Sequence, residues 1–295
     1  MRMKKSFYVT SFLYLNFLLS TTGLFACPIE ANQSQSHLAT ELNQVRESSS
    51  VTEIEFDRLV EIASESYAGI FKKQGLKLKI DASWKDNTPN AYSDQLGETR
   101  YIYLFGGYAR LPLMNKDTYL SVICHELGHH LGGFPRVVGS TWASAEGEAD
   151  YFSTLKCMKN LLKDDPENER IALSLDLPEE VKNQCQIQHP HINDYYICLR
   201  SSKAAEIYGR INASLATPNS TTEISLLTPV TRRVFSTNLS YPMPQCRVDT
   251  KLQGALCNAS IDIPMGYQDE NKGACSVKNG NPIGARPECW FARKY

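Results

Sequence analysis

The chain has 295 residues, of which 42% are hydrophobic and 21% charged. That is ordinary globular composition, and enough length for one substantial domain or two small ones. The formal net charge of -1 and the lack of a long basic run argue against nucleic acid as the main partner and give no electrostatic reason for membrane-surface binding.

The first residues read as an export signal over 1–26: MRMKKS supplies positive charge and a mostly apolar stretch follows. Thr10, Ser11, Asn16, Ser20, Thr21 and Thr22 weaken the competing reading of a membrane anchor, and no second apolar stretch of spanning length occurs. The stretch LFAC ends at Cys27 and has the look of a bacterial lipoprotein cleavage site, although Phe25 departs from the usual pattern. A lipid anchor at Cys27 and conventional cleavage both stay open. Nine cysteines fit an oxidising compartment, and a lipidated Cys27 leaves an even number for disulfides. The expected location is a bacterial periplasm or cell envelope, with secretion as the alternative. Local disulfide candidates are Cys185 with Cys198 and Cys275 with Cys289.

Residues 27–52 are polar and read as a tether, and 53–295 as the folded part. Thr52 is an N-cap for a helix whose apolar positions Ile54, Leu59, Ile62, Ala63 and Ile70 recur at helical spacing up to Gly75. LKLKID alternates like a half-buried strand, and RYIYLFGG is a second β-rich run ended by two glycines. Asp117 and Thr118 precede a helix, YLSVICHELGHHLGG, which Gly132, Gly133 and Pro135 close. Ser144 caps the next helix, AEGEADYFSTLKCMKNLLK. Further helices fall at PEEVKNQCQ and NDYYICLRSSKAAEIYGRINASLA, residues 217–229 read as a loop, and the section from Asp262 is irregular, with disulfides supplying its order.

HELGH sets His125 and His129 one helical turn apart, so both imidazoles leave the same face and can bind one ion, with Glu126 beside them. A catalytic zinc takes three protein ligands and keeps a position for water, so a third ligand is needed. The candidates are Glu146, Glu148 and Asp150 on the following helix. At about 100° per residue, Glu146 and Asp150 share a face and Glu148 points the other way. Glu146 can therefore bind zinc, Asp150 can accept the second ring N–H of a ligating histidine, and Glu148 is a solvated carboxylate. A histidine third ligand is the rival, because HELGHHLGGFP keeps the glycine of HExxHxxGxxH proteases at Gly132, but Pro135 stands where the last histidine belongs. His130 lies off the ligand face, supporting the site or facing solvent. Cys124 and Cys157, on the two metal-bearing helices, read as a buried thiol or an interhelical disulfide.

HELGH followed by EGEAD resembles gluzincin metallopeptidases, specifically the HtpX-like and CaaX prenyl endopeptidase family, with its HExxH and later ExxxD. The resemblance implies Glu146 as zinc ligand and Asp150 as its supporting acid. NAYS at 90–93 and RYIYLFGG are similar to the family's NAF-type segment and the edge strand before its HExxH helix. YPMPQCR keeps the spacing of its HPxxxxR element, with Pro242 and Arg247 in register and Tyr241 where histidine is usual. Tyr241 then implies a hydrogen-bond donor to an oxyanion, and Arg247 a partner for an acid near the site or for a substrate carboxylate.

The expected fold is α+β and zincin-like, mostly helical, with a small sheet whose edge strand precedes the HExxH helix and a cysteine-rich irregular C-terminal section. The expected function is that of an exported zinc endopeptidase, with one Zn2+ held by His125, His129 and Glu146, Glu126 as general base, and a peptide or unfolded protein as substrate. The alternative is an envelope binding or chaperone-like protein whose zinc is structural.

Overall fold

The computed structural model describes residues 49–216 and 223–293. The export signal, Cys27 and most of the tether lie outside the described residues. The end of the tether is already part of the fold: Ser50 N–H donates to Met114 O at 2.9 Å, Ser49 Oγ donates to Ala109 O at 2.7 Å, and Val51 is buried.

Helix α1 (Glu53–Lys73) starts at Thr52, whose side chain accepts from Glu55 N–H while Glu55 reaches back to the Thr52 backbone, a reciprocal cap. Its buried face is Phe56, Leu59, Ala63, Tyr67 and Phe71, and Ile54 and Ile70 are exposed, contrary to expectation. The aromatic rings at 56, 67 and 71 bury more apolar area than the two isoleucines, so they set the phase of the helix.

Strands β1 (Lys77–Ser83), β2 (Ala91–Leu96) and β3 (Thr99–Phe105) form one mixed sheet in the order β1-β3-β2. β3 is parallel to β1 and antiparallel to β2. The strand that directly precedes the HExxH helix is thus central, and β2 is an edge. A tight β2–β3 connection at Gly97 (φ 59°) covers one side of β3, and β1 covers the other. Ile102, Leu104, Ala91 and Ser93 face inward.

After a short turn of helix, α2 (Gly106–Ala109), α3 (Lys116–Leu131) begins at Asn115, whose side chain accepts from Thr118 N–H at 2.9 Å. Asp117 and Thr118 are therefore inside the helix. Every residue from Asp117 to His129 is buried, the all-round burial of a helix at the centre of a molecule. α4 (Glu146–Phe152) passes through a π-helical turn (Ser153–Cys157) into α5 (Met158–Leu162). Ser144 does not cap α4: its hydroxyl donates to Gly133 O at 2.9 Å, and Ala145 is the N-cap, with no side-chain bond. The short polar α6 (Asn168–Ser174) has no counterpart among the expected elements, and α7 (Glu179–Gln188) and α8 (Ile192–Ala216) follow as expected. Residues 223–229 are without helix or strand. α9 (Pro244–Leu256) is a further helix, entered through a proline whose fixed φ suits the first turn. From Cys257 to Arg293 the chain forms only turns.

Four disulfides join Cys124–Cys157, Cys185–Cys198, Cys246–Cys289 and Cys257–Cys275. The first links the two helices as one of the two readings had it, and the second is the expected local pair. Cys275 and Cys289 are not paired with each other. α9 holds Cys246 and Cys257 at opposite ends, roughly 16 Å apart at helical rise, and each end fastens a different stretch of the C-terminal section. Four disulfides fit an oxidising, exported environment. Among the described residues no helix is long and apolar enough to cross a membrane.

Arg200 of α8 is fully buried and ties α8 to two other segments. Its Nε and Nη2 donate to both oxygens of Asp117 at 2.8 and 2.6 Å, and its Nη1 to Asp165 Oδ2 at 2.8 Å and Asn168 Oδ1 at 2.6 Å. Burial raises the pKa of Asp165, and the Arg200 hydrogen bond, the Glu167 N–H and the nearby charges together lower it by more, so the carboxyl ionises below its usual range. Arg200→Met strands Asp117 as an unpaired buried charge and should cost about 3 kcal/mol in urea unfolding at pH 7. Because the folded pKa of Asp165 is lowered, its share of stability is present above the unfolded value and fades as pH falls through the folded one. The gap between wild type and variant should therefore narrow on acidification.

Candidate metal centre

His125, Glu126 and His129 sit on the last turns of α3, and Glu146 and Asp150 on α4. The two helices touch at Gly128, where a Cβ would stand 2.8 Å from both Ala149 Cα and Ala149 O. Only glycine permits that approach, and the approach brings Glu146 to the histidines. His125 Nε2 is 3.3 Å from Glu146 Oε2, and His129 Nε2 is 3.7 Å from Glu146 Oε1. One donor atom from each of the three residues falls within 4.8 Å of the others, and all three side chains are buried. A tetrahedral shell with bonds of ~2.0–2.2 Å has edges of about 3.3–3.6 Å, so this donor set can hold a metal ion.

The opposite ring nitrogens are held by the protein. His125 Nδ1 is 2.9 Å from Asp150 Oδ1, and His129 Nδ1 is 2.9 Å from the Ser144 carbonyl. Both contacts place the proton on Nδ1 and leave Nε2 as the lone-pair donor. Arg247 of α9 forks onto Asp150, with Nε 2.6 Å from Oδ2 and Nη2 3.1 Å from Oδ1. The same Nη2 lies 3.4 Å from Glu146 Oε2 and from His125 Nε2. Lys251, one turn further along α9, completes the group at 3.2 Å from Asp150 Oδ1 and 2.9 Å from Ser153 Oγ.

Burial disfavours charge on every member, and the neighbours decide which charges survive. Burial, joined by His125 and Arg247, brings the His129 pKa down to about 4 against the pull of Glu146 and the Ser144 carbonyl, so its imidazole is neutral. At His125 burial is outweighed by Asp150 and Glu146 and the pKa rises. Glu146, raised by burial, is lowered further by His129, His125 and Arg247, to about 2. Asp150 is likewise held well below its usual range against burial, first by Arg247 and then by Lys251. Glu126 differs: burial, reinforced by Glu146, pushes it up to about 7 despite His125 and a hydrogen bond from Ser93. That bond, Ser93 Oγ to Glu126 Oε2 at 2.9 Å, ties the carboxyl to edge strand β2.

Glu126 and His125 open onto a cleft of about 530 Å3 bounded by Ala91 of β2 and Asn90 just before it, Tyr208 of α8, and Tyr241, Pro242 and Arg247 around the start of α9. Tyr241 stands half exposed at the rim, its ring 5.9 Å from the Arg247 guanidinium carbon. Tyr208 is buried deeper, with Arg247 5.1 Å and Lys251 4.2 Å from its ring.

Two residues are placed otherwise than the sequence suggests. Glu148 is fully buried rather than solvated, in a two-pronged ion pair with Arg286 at 2.5 Å for each bond. A helix covered on two sides has no solvent face, so pointing away from the metal ligands means pointing into the C-terminal section. His130 supports the sheet rather than the metal: its Nε2 bonds Tyr101 O at 3.1 Å and its ring stacks on Trp142 at 4.8 Å. Ser93 falls in NAYS without being singled out there, and Tyr208 and Lys251 carry no sequence signal of their own, because only the tertiary fold brings β2, α8 and the third turn of α9 to HELGH.

No known family model, curated protein or solved structure matches this chain. Gly128→Ala should force the two ligand helices apart and cost about 1–3 kcal/mol. Chemical denaturation of the purified protein, with and without added divalent metal, measures that loss and the accompanying loss of metal-induced stabilisation.

Proposed function

We propose that the protein is an exported zinc endopeptidase of the gluzincin type, with Zn2+ held by His125, His129 and Glu146. The observation that carries this reading is Glu126: a buried carboxyl directly beside the His-His-Glu donor set, opening on a cleft and oriented by Ser93. A purely structural metal site has no use for such a base. Zinc bound there supplies Lewis-acid polarisation of a peptide carbonyl and acidifies water to a pKa near ~7.

The chain's own groups then divide the remaining work. Glu126 takes a proton from the attacking water and delivers it to the leaving amine, and its environment suits a group that must hold and release a proton near neutral pH. Asp150 and the Ser144 carbonyl fix the histidine tautomers, and Arg247 and Lys251 keep Asp150 ionised. Tyr241, at the rim, donates to the developing oxyanion in place of the family's histidine. β2 pairs with β3 on one side, and its first residue, Ala91, lines the cleft together with the preceding Asn90, which suits an extended or unfolded peptide aligned by main-chain hydrogen bonds. Four disulfides support action outside the cytoplasm, in the periplasm or cell envelope or after secretion.

Glu126→Gln keeps the shape of the side chain and removes the base. The variant should bind zinc as wild type does and lose at least about 100-fold in cleavage of a quenched peptide library. Equal turnover by both proteins would sink the assignment.

A further inference from the structure

We infer that the disulfide-fastened C-terminal section is the device that positions Glu146, acting through Gly147 and Glu148 by way of Trp290 and Arg286. The inference rests on the reading of Glu146 as a metal ligand.

The start of α4 is a poor helix start by its own sequence. Its N-cap, Ala145, has no side-chain capping bond, where Ser, Thr, Asp or Asn would satisfy a first-turn N–H. Gly147, a weak helix former, sits in the first turn, and the buried Glu148 carboxylate needs a partner. The last two weaknesses are met from the C-terminal section. The indole of Trp290, fully buried, lies on Gly147 so closely that a Cβ there would be 2.4 Å from the ring. Arg286 grips both oxygens of Glu148 at 2.5 Å and is itself anchored to Glu270 O at 2.8 Å. One turn later Tyr151 Oη donates to Gly284 O at 2.5 Å and accepts from Cys275 N–H at 3.2 Å.

The grip is referred back to the other side of the site. Cys289, next to Trp290, is bonded to Cys246, next to Arg247, and Cys257–Cys275 fastens the far end of α9 to the same section. Phe134 N–H, just beyond α3, donates to Gly266 O at 3.0 Å. The section therefore touches the elements bearing Glu146, Arg247 and His129, and it sets the direction in which Glu146 leaves its helix. Such support around a ligand commonly changes metal affinity by about 10–100-fold.

The test measures zinc affinity of the full oxidised chain by competition with a chromogenic chelator, at a temperature where circular dichroism shows each variant folded. Trp290→Ala and Arg286→Met should weaken zinc binding by about 10-fold or more, with a smaller loss for Trp290→Leu, which serves where the larger truncations fail to fold. The remote pair Cys185→Ala/Cys198→Ala should lower the melting temperature and leave zinc affinity within about twofold. Folded Trp290 variants that bind zinc as wild type does would overturn the inference, as would an equal loss of affinity in the remote cysteine variant. Failure of the folded wild type to bind zinc would overturn the metal-site reading itself, and is read out separately.

Discussion

Asp150 is the point on which the site depends. Its carboxylate is fully buried, and a buried carboxylate is tolerated only when its charge is matched and its oxygens are hydrogen-bonded. Here the matching groups come from two other elements: His125 of α3, and Arg247 and Lys251 of α9. One residue thus fixes the separation and rotation of three helices. The π-helical turn begins just after it, at Ser153, whose hydroxyl donates to Asp150 O at 2.7 Å and meets Lys251 Nζ. The shifted register lets Thr154 Oγ1 bond Lys251 O at 2.7 Å, so the turn after Asp150 is fitted to α9, consistent with the tendency of such turns to occur at functional positions.

The second constraint is steric. Gly128 lies between the two histidines in sequence and against Ala149 in space, so one position in HELGH is reserved for the packing of the acidic helix. Packing and coordination are therefore not separable in this motif: the residue that lets α4 approach is surrounded by those that use the approach. The same logic holds at Gly147, where the missing side chain leaves room for Trp290.

What was legible in the sequence follows from the range of the interactions. The common face of His125 and His129, and that of Glu146 and Asp150, are local helix phases, so counting residues is enough. Arg247 was reachable through the spacing of YPMPQCR, although α9 itself was not, because a stretch with two prolines reads as a loop until the second is seen as the helix's first residue. Glu148 was misjudged for a physical reason. Helix phase says which way a side chain points and not what covers that side, and its partner Arg286 is 138 residues away. Ile54 and Ile70 failed likewise: apolar spacing allowed two neighbouring faces on α1, and the larger aromatic area decided between them. Proximity in sequence suggests a Cys275–Cys289 pair, whereas their partners, Cys257 and Cys246, stand at opposite ends of α9.

The charges of the site point the same way as its geometry. Around the donor set stand three carboxyl groups, Glu126, Glu146 and Asp150, and two basic side chains, Arg247 and Lys251, all buried; burial lowers the Lys251 pKa to about 8 and raises that of Glu126 to about 7, and with both ionised and the imidazoles neutral the acids outnumber the bases by one. In a desolvated volume that excess is costly and attracts a cation. The His125 pKa rises because Asp150 and Glu146 outweigh its burial, while that of Glu126 rises first through burial and then through Glu146. A divalent cation held by His125, His129 and Glu146 would answer that excess more completely than a proton does. One carboxyl of the three is held by a hydroxyl, that of Ser93, rather than by a cationic side chain or the donor set. Arg247 and Lys251 are directed at Asp150, and Glu146 belongs to the donor set. That leaves Glu126.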